Sequence, residues 1–496
     1  MTITVLLAAF LVTQALPTLS LNGAWQIRYD PRNRGLEQGW AEQPPTGGWY
    51  EERVPACIEE YETGAGYDGV VWYRTTFTVP ASWQFEHLWL RFTQVNYRTT
   101  AWLNGTALGT HDGGYTPFRF ELTASVQPGE NHLLLRVVDP GAKEVDGLKL
   151  SSHPHAKEDW YFNHGGVIGD VTLVPTRALA IDDVFVAGDP ERGRADLQVR
   201  LLGRLADAVP DTIMVRAELL PEDGVEQLAA AEVAAQGSDD TVALSLPIDR
   251  AARWSLEHPK LYDVRVTLAR AGEVLDQRLV RTGFRTFTVQ GNRFELNGKP
   301  ILLRGVLYQP YYPGTLARPP SADWVERDVD RALDAGFNLM RQHERIAPRA
   351  LVEYADRKGM LLFSEPSIGW LAGAASAGEL APLCLQEVRG LIERDRNSPS
   401  VVMWGMLNEG SGQAHALEDR LTAFARSLDP TRIVCDDSGG WQNGAYYLAP
   451  HSMTHVAYDD VHAYLPHPER AVALHELRSF GRRSGRSWSR NSASAD

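Results

Sequence analysis

Asn408 and Glu409 end an apolar run, Val401-Val-Met-Trp-Gly-Met-Leu407. A carboxylic acid at such a place, half out of water at the rim of a cleft, has its pKa raised and keeps a proton to donate. The competing reading is that the pair only opens the next helix, with Asn408 as its cap. Further polar residues follow other short apolar runs: Tyr308-Gln309, Arg341-Gln342-His343, Glu365, Asp436-Asp437 and His462-Ala463-Tyr464. Gathered in one mouth, these carboxylates, amides, imidazoles and a guanidinium suit hydrolysis of a glycosidic bond. A protonated carboxyl donates to the leaving oxygen and polar groups read hydroxyls. In retaining enzymes a second carboxylate about 5 Å away attacks the anomeric carbon.

The elements that must position these residues alternate between strand and helix from residue 289 onward. Apolar strands are expected at Ile301–Leu307, Asn338–Arg341, Met360–Ser364, Val401–Leu407, Ile433–Cys435 and Asp460–Tyr464. Helices are expected at Ser321 (cap) onward, Pro348–Lys358, Leu383–Arg394, Ala416–Ser427 and Glu469–Arg478. In the first of these, Trp324, Val325, Val329, Ala332 and Leu333 fall at helical spacing. Repeated βα units imply a parallel sheet, and this many imply a (β/α)₈ barrel, in which residues just past the strand C-termini converge on one site.

Two β-rich segments precede the barrel. Residues 1–176 carry alternating strands such as Val71–Val79, His87–Phe92 and His132–Val138, and Ala101–Leu103 runs into an Asn104-Gly105 hairpin turn. This segment reads as a jelly-roll β-sandwich. Residues 177–288, with strands at Ala195–Leu201, Thr212–Leu219 and Tyr262–Leu268, read as an immunoglobulin-like β-sandwich.

The 496 residues carry a net charge of −14 and no long basic run, which argues against nucleic acid or an anionic membrane as partner. Cys57, Cys384 and Cys435 have neither metal-ligand spacing nor the even count of a disulfide framework, so no metal and no cofactor is expected. Ile3–Val12 is apolar but lacks a preceding basic residue. A cytoplasmic location is therefore favoured, with secretion or a periplasmic location as the alternative.

The stretch Asn397-Ser-Pro-Ser-Val-Val-Met-Trp-Gly-Met-Leu-Asn408-Glu409 resembles the acid/base signature of glycoside hydrolase family 2, the β-galactosidase/β-glucuronidase type. Leu21–Trp25, Val71–Arg74, Trp102–Gly105, Gly113–Phe118, Gly165-Gly166 and Asp170-Val171 resemble that family's jelly roll. Gly283–Arg285 and Phe294–Pro300 resemble the lead-in to its barrel, and Phe363–Pro366 its third barrel strand. The resemblance implies a retaining exo-β-glycosidase acting on terminal β-linked sugars, in a family that often forms homo-oligomers. It implies Glu409 as acid/base and Asn408 on the sugar 2-hydroxyl, with Arg341, His343, Glu365, Trp404, His462 and Tyr464 lining the sugar site. Against these stand plainer readings: Arg341 as scaffold paired with Glu365 or Glu409, Trp404 as core, and His343 as a structural hydrogen-bonder. His343 and Tyr308-Gln309 also depart from the family's usual wording, which leaves galactoside, glucuronide and mannoside open.

The family's nucleophile is a Glu in a Ser-Glu-Phe-Gly-like context after the seventh strand, and the sequence contains no such segment. Glu365, Asp436 and Asp437 do not match that motif. Back-translated in the degenerate code and read one base earlier, Arg486 to Asp496 permits Pro-Val-Val-Val-Ser-Glu-Phe-Gly-Val-Gly-Gly. The expectation is a one-base frameshift near Gly481, a barrel truncated after about six strands, and a literal chain that is inactive and poorly soluble, since unclosed strand edges invite aggregation. Resequencing the DNA across codons 475 to 496 tests it. The rival readings are a non-catalytic carbohydrate-binding remnant and a family 5-like endo-glycanase. The two β-domains ahead of the barrel disfavour the endo-glycanase.

Overall fold

The computed structural model of the chain describes residues 17–203, 213–235, 240–291, 293–369, 377–410, 414–439, 459–461 and 488–490. The first domain is a β-sandwich of a six-stranded and a four-stranded antiparallel sheet. Alternation along its strands sends Ile27, Val71, Tyr73, Leu88, Leu90, Leu133 and Leu135 between the sheets. The Asn104-Gly105 turn closes the hairpin of Arg98–Leu103 with Thr106–Asp112, both turn residues having positive φ (52° and 81°). The second domain pairs a three-stranded with a four-stranded sheet around Val184, Val199, Val215 and Val266, the immunoglobulin-like arrangement.

A short antiparallel sheet, Phe287–Gln290, Arg293–Leu296 and Lys299–Ile301, leads into the barrel. Five parallel strands follow in sequential order: β1 (Gly305–Tyr308), β2 (Leu339–Gln342), β3 (Leu361–Ser364), β4 (Val401–Asn408) and β5 (Ile433–Ser438). Between them run α1 (Ala322–Asp334), α2 (Arg349–Lys358), α3 (Ala377–Asp395) and α4 (His415–Leu428). A further parallel pair joins β6 (Asp459–Val461) to β7 (Trp488–Arg490).

Three sequence expectations shift here. The strand expected at Ile301–Leu307 is split, Ile301 pairing with Phe294 of the lead-in sheet while β1 starts at Gly305. Asn338 bridges the break, accepting from Arg304 N–H and donating to the Leu302 carbonyl. The third helix starts six residues early, at Ala377, and carries Pro382 within its first two turns. The tail supplies a strand, Trp488–Arg490, where six strands were expected in all. The helix expected at Glu469–Arg478 lies outside the described residues.

Each central strand is buried on both faces. Leu339, Leu361, Phe363, Met403, Ile433 and Cys435 fill the barrel interior, where Phe287, Phe294 and Leu296 of the lead-in sheet pack against them. Met340, Leu362, Trp404 and Val434 face the helices and meet Val325, Val329, Leu351, Leu391 and Leu421. The barrel also locks onto the second domain. Asn397 donates to the Val184 carbonyl and accepts from Val186 N–H, acting as one more strand partner. The buried Arg285 donates to the Pro399 and Val401 carbonyls.

Candidate active site

The C-terminal ends of β2, β3 and β4 bring Arg341, Glu365 and Asn408 together. All three side chains are buried. Arg341 Nε donates to Glu365 Oε1 over 2.6 Å, and its Nη2 donates to Asn408 Oδ1 over 2.7 Å. The second Glu365 oxygen accepts from His343 Nδ1 (3.2 Å) and from the Glu344 backbone N–H (2.7 Å). Burial alone would push the Glu365 carboxyl up, but the charge of Arg341 and the His343 contact outweigh it and hold the group down at about 2. Glu365 is thus a fixed anion that anchors the cluster.

His343 is predominantly neutral at pH 7, burial pushing its imidazolium down to about 4. Its Nε2 lies 2.8 Å from Lys157 Nζ, a donor, so Nε2 accepts and Nδ1 carries the proton given to Glu365. Lys157 Nζ also sits 2.9 Å from Glu344 Oε2. Burial still drives the Glu344 carboxyl up to about 7 against that nearby cation. Lys157 belongs to the first domain, and the next residue seats its loop. Glu158 is buried and accepts from Asn96 Nδ2 (3.0 Å) and from the Tyr115 hydroxyl.

Glu409 follows β4 directly in the left-handed region, φ 51°, and its N–H donates to the Ser438 carbonyl at the end of β5 (2.8 Å). Gly410 N–H donates to Asp437 Oδ1 (3.0 Å). The loop after β4 is therefore pinned to β5, turning at Glu409 instead of continuing into a helix. The helix-start reading of Asn408 fails on the same ground, because α4 begins at His415 with Ala414 as its cap. Gly405 in β4 makes room for the anchor. A Cβ there would stand 2.7 Å from Phe363 Cε2 and 2.8 Å from Glu365 Cγ.

Of the residues expected to line the site, Arg341, His343, Glu365 and Asn408 form one connected cluster, and Glu409 adjoins it. Trp404 does not join them. It is fully buried on the helix side of β4 and its indole N–H donates to Asp429 Oδ2 (2.9 Å), a core position. Tyr308 also turns away, its hydroxyl donating to Asp328 of α1 (2.9 Å). His462 and Tyr464 lie outside the described residues. Reading the sequence missed Lys157 and Glu344. A positive φ of 49° at Glu344 turns the chain back onto Glu365, and no local pattern marks it. Among the described residues no cluster of His, Cys, Asp or Glu is arranged to hold a metal ion.

Comparison with known proteins agrees with this architecture. Residues 18–176 match the sugar binding domain of glycosyl hydrolases family 2, residues 179–285 match a further domain of that family, and residues 287–472 match its TIM barrel domain. A β-glucuronidase of Paenibacillus borealis is 28% identical over 457 residues, covering 84% of this chain and 72% of that protein. A β-glucuronidase of Rattus norvegicus is 27% identical, covering 84% and 67%. β-Galactosidase 2 of Enterobacter cloacae is 28% identical over 478 residues, and there the chain spans 44% of the relative's length. Among solved structures, the β-glucuronidase of Ruminococcus gnavus in complex with D-glucaro-d-lactam superposes with a TM-score of 0.80 at 20% identity, covering 98% of this chain and 84% of that one.

Proposed function

The chain belongs to glycosyl hydrolase family 2, and from that premise we propose that its barrel mouth is the site of a retaining exo-β-glycosidase acting on terminal β-linked galactosides, glucuronides or mannosides. Glu409 is the acid/base, giving its proton to the glycosidic oxygen. Asn408 contacts the sugar 2-hydroxyl, and Arg341, His343 and Glu365 hold the floor of the site. The observation that carries this reading is the buried chain Glu365–Arg341–Asn408, which ends one residue before Glu409. Arg341 occupies the Asn408 amide oxygen, so the amide NH₂ is the end left to donate to a hydroxyl. His462 and Tyr464 stay part of the proposed sugar site by family resemblance.

No nucleophile is assigned, since no Ser-Glu-Phe-Gly-like segment occurs among these residues. Glu365 is no substitute, since both of its oxygens are engaged and its charge is neutralised by Arg341.

The test assays the purified chain with nitrophenyl β-galactoside, β-glucuronide and β-mannoside, and titrates the corresponding lactones by calorimetry. Lactone binding is expected, with any turnover lost in Glu409→Gln. Turnover that survives Glu409→Gln would sink the acid/base assignment. Failure of all three lactones to bind would remove the sugar site itself.

A further inference from the structure

We propose that a second site, in the cleft where the three domains meet, binds a small oxyanion through Arg91, Arg119 and Arg278. The cleft measures about 1020 Å³, which suits a small-molecule ligand, and the cluster residues Arg341, His343, Glu365, Asn408 and Glu409 do not line it. One wall is the outer face of the first domain's four-stranded sheet. There Arg91 of strand His87–Phe92 and Arg119 of strand Phe118–Glu121 are direct cross-strand partners. Like charges placed opposite each other on a sheet are destabilising. The facing wall, from the second domain, adds Arg278.

The carboxylates lining the cleft are already partnered, one of them by Arg119. Asp182 serves both Arg119 (2.6 Å) and Arg200 (2.8 Å), Glu393 pairs with Arg200, Asp183 with Arg396, and Asp170 accepts from Asn22. The other lining arginines have acidic partners of their own, Arg281 with Asp263 and Arg318 with Glu60 among them. Arg278 donates from Nε and Nη2 to the Ile181 carbonyl, and its nearest carboxylate, Asp276, is 3.9 Å away and already accepts from the Ile181 N–H. Arg91 is exposed to the cleft and has no hydrogen bond or ion pair among the described residues. Burial by the cleft walls and then the charges of Arg278 and Arg119 push the Arg91 pKa down, with Asp182 opposing. The unpartnered Arg91 guanidinium, with Arg119 opposite it and Arg278, whose one carboxylate contact among the described residues is the 3.9 Å approach to Asp276, close by, is arranged for the oxygens of a carboxylate or a phosphate. In a chain of net charge −14, such a local excess of cation is not a general surface property. An anion held there would tie the first domain to the second.

The shared chemistry is an oxyanion, carried by a phosphate ester or by the carboxylate of an acidic sugar. Calorimetric titration of the full chain with inorganic phosphate, and separately with free glucuronate, at constant ionic strength in chloride, distinguishes the two sources. Saturable binding of one of them is expected, weakened about tenfold or more by Arg91→Gln and by Arg278→Gln. Because Arg91 is exposed and faces like charge, Arg91→Gln in anion-free buffer should unfold at the same or a higher temperature than the parent, so lost binding does not reflect lost fold. If neither anion binds, or if binding is unchanged in both variants, the proposal is overturned. Glucuronate binding that ignores Arg91 and Arg278 but is lost in Arg341→Gln belongs to the barrel mouth and counts against this site while sparing the glycosidase reading.

Discussion

Arg341 and Glu365 meet at 2.6 Å with both side chains 2% exposed, an ion pair out of reach of bulk water at the centre of the candidate site. Each charge is tolerable only because of the other, and Asn408 and His343 are held in place by the same pair. Replacing Arg341 by Gln leaves Glu365 buried without its main counter-charge. Urea unfolding should show a loss of about 3–5 kcal/mol, the range for breaking a buried pair by removing one partner. A loss below about 1 kcal/mol, typical of an exposed pair, would mean that water reaches the site.

His343 gives a pH signature. Its pKa in the folded chain is about 4, below the ordinary value of 6.5, so the unfolded chain binds the proton first. The stability contributed by neutral His343 is fully present above pH 6.5 and is lost as pH falls through 4. Glu365, held at about 2, loses its contribution lower still, between the ordinary 4.5 and 2. Denaturant midpoints measured from pH 7 to 4 should therefore fall less steeply in His343→Gln than in the parent. Parallel slopes would refute the assignment.

Gly405→Ala adds a Cβ within 2.8 Å of both the Phe363 ring and the Glu365 side chain. The substitution should cost about 1–3 kcal/mol, as overpacking does, and should weaken sugar binding by displacing the anchor. Unaltered binding in a destabilised protein would show that Glu365 does not set the geometry of the mouth.

Trp404→Phe separates core from sugar contact. The change removes the indole donor from Asp429 Oδ2 and should cost about 1–3 kcal/mol of stability. Affinity for a lactone should stay the same. A selective loss of affinity with stability intact would return Trp404 to the sugar site.

Much of the scaffold was legible because its signals are local. Alternation marked the sandwich strands, Asn104-Gly105 marked a hairpin, and apolar runs followed by polar residues marked the barrel strand ends. Those ends converge in any parallel barrel, so Arg341, Glu365 and Asn408 were foreseeable as neighbours without any distance being known. The split of the first strand was not legible, because Arg304-Gly305 is only a brief break in the apolar run from Ile301 to Leu307, and the diversion of the backbone rests on Asn338, 34 residues beyond Arg304.

The sequence by itself determined the order of the architectures and the residue types available at the barrel mouth, since both follow from periodicity and from chain direction. Tertiary structure alone decided which apolar residues face inward. A strand buried on both sides is apolar on both sides, so its pattern carries no record of which face holds Trp404. It also decided the long-range partners. Lys157 reaches His343 across 186 residues of chain, and Arg91 faces Arg278 across a domain boundary. Contacts of that span depend on how separately folded units dock, and no local sequence signal encodes them.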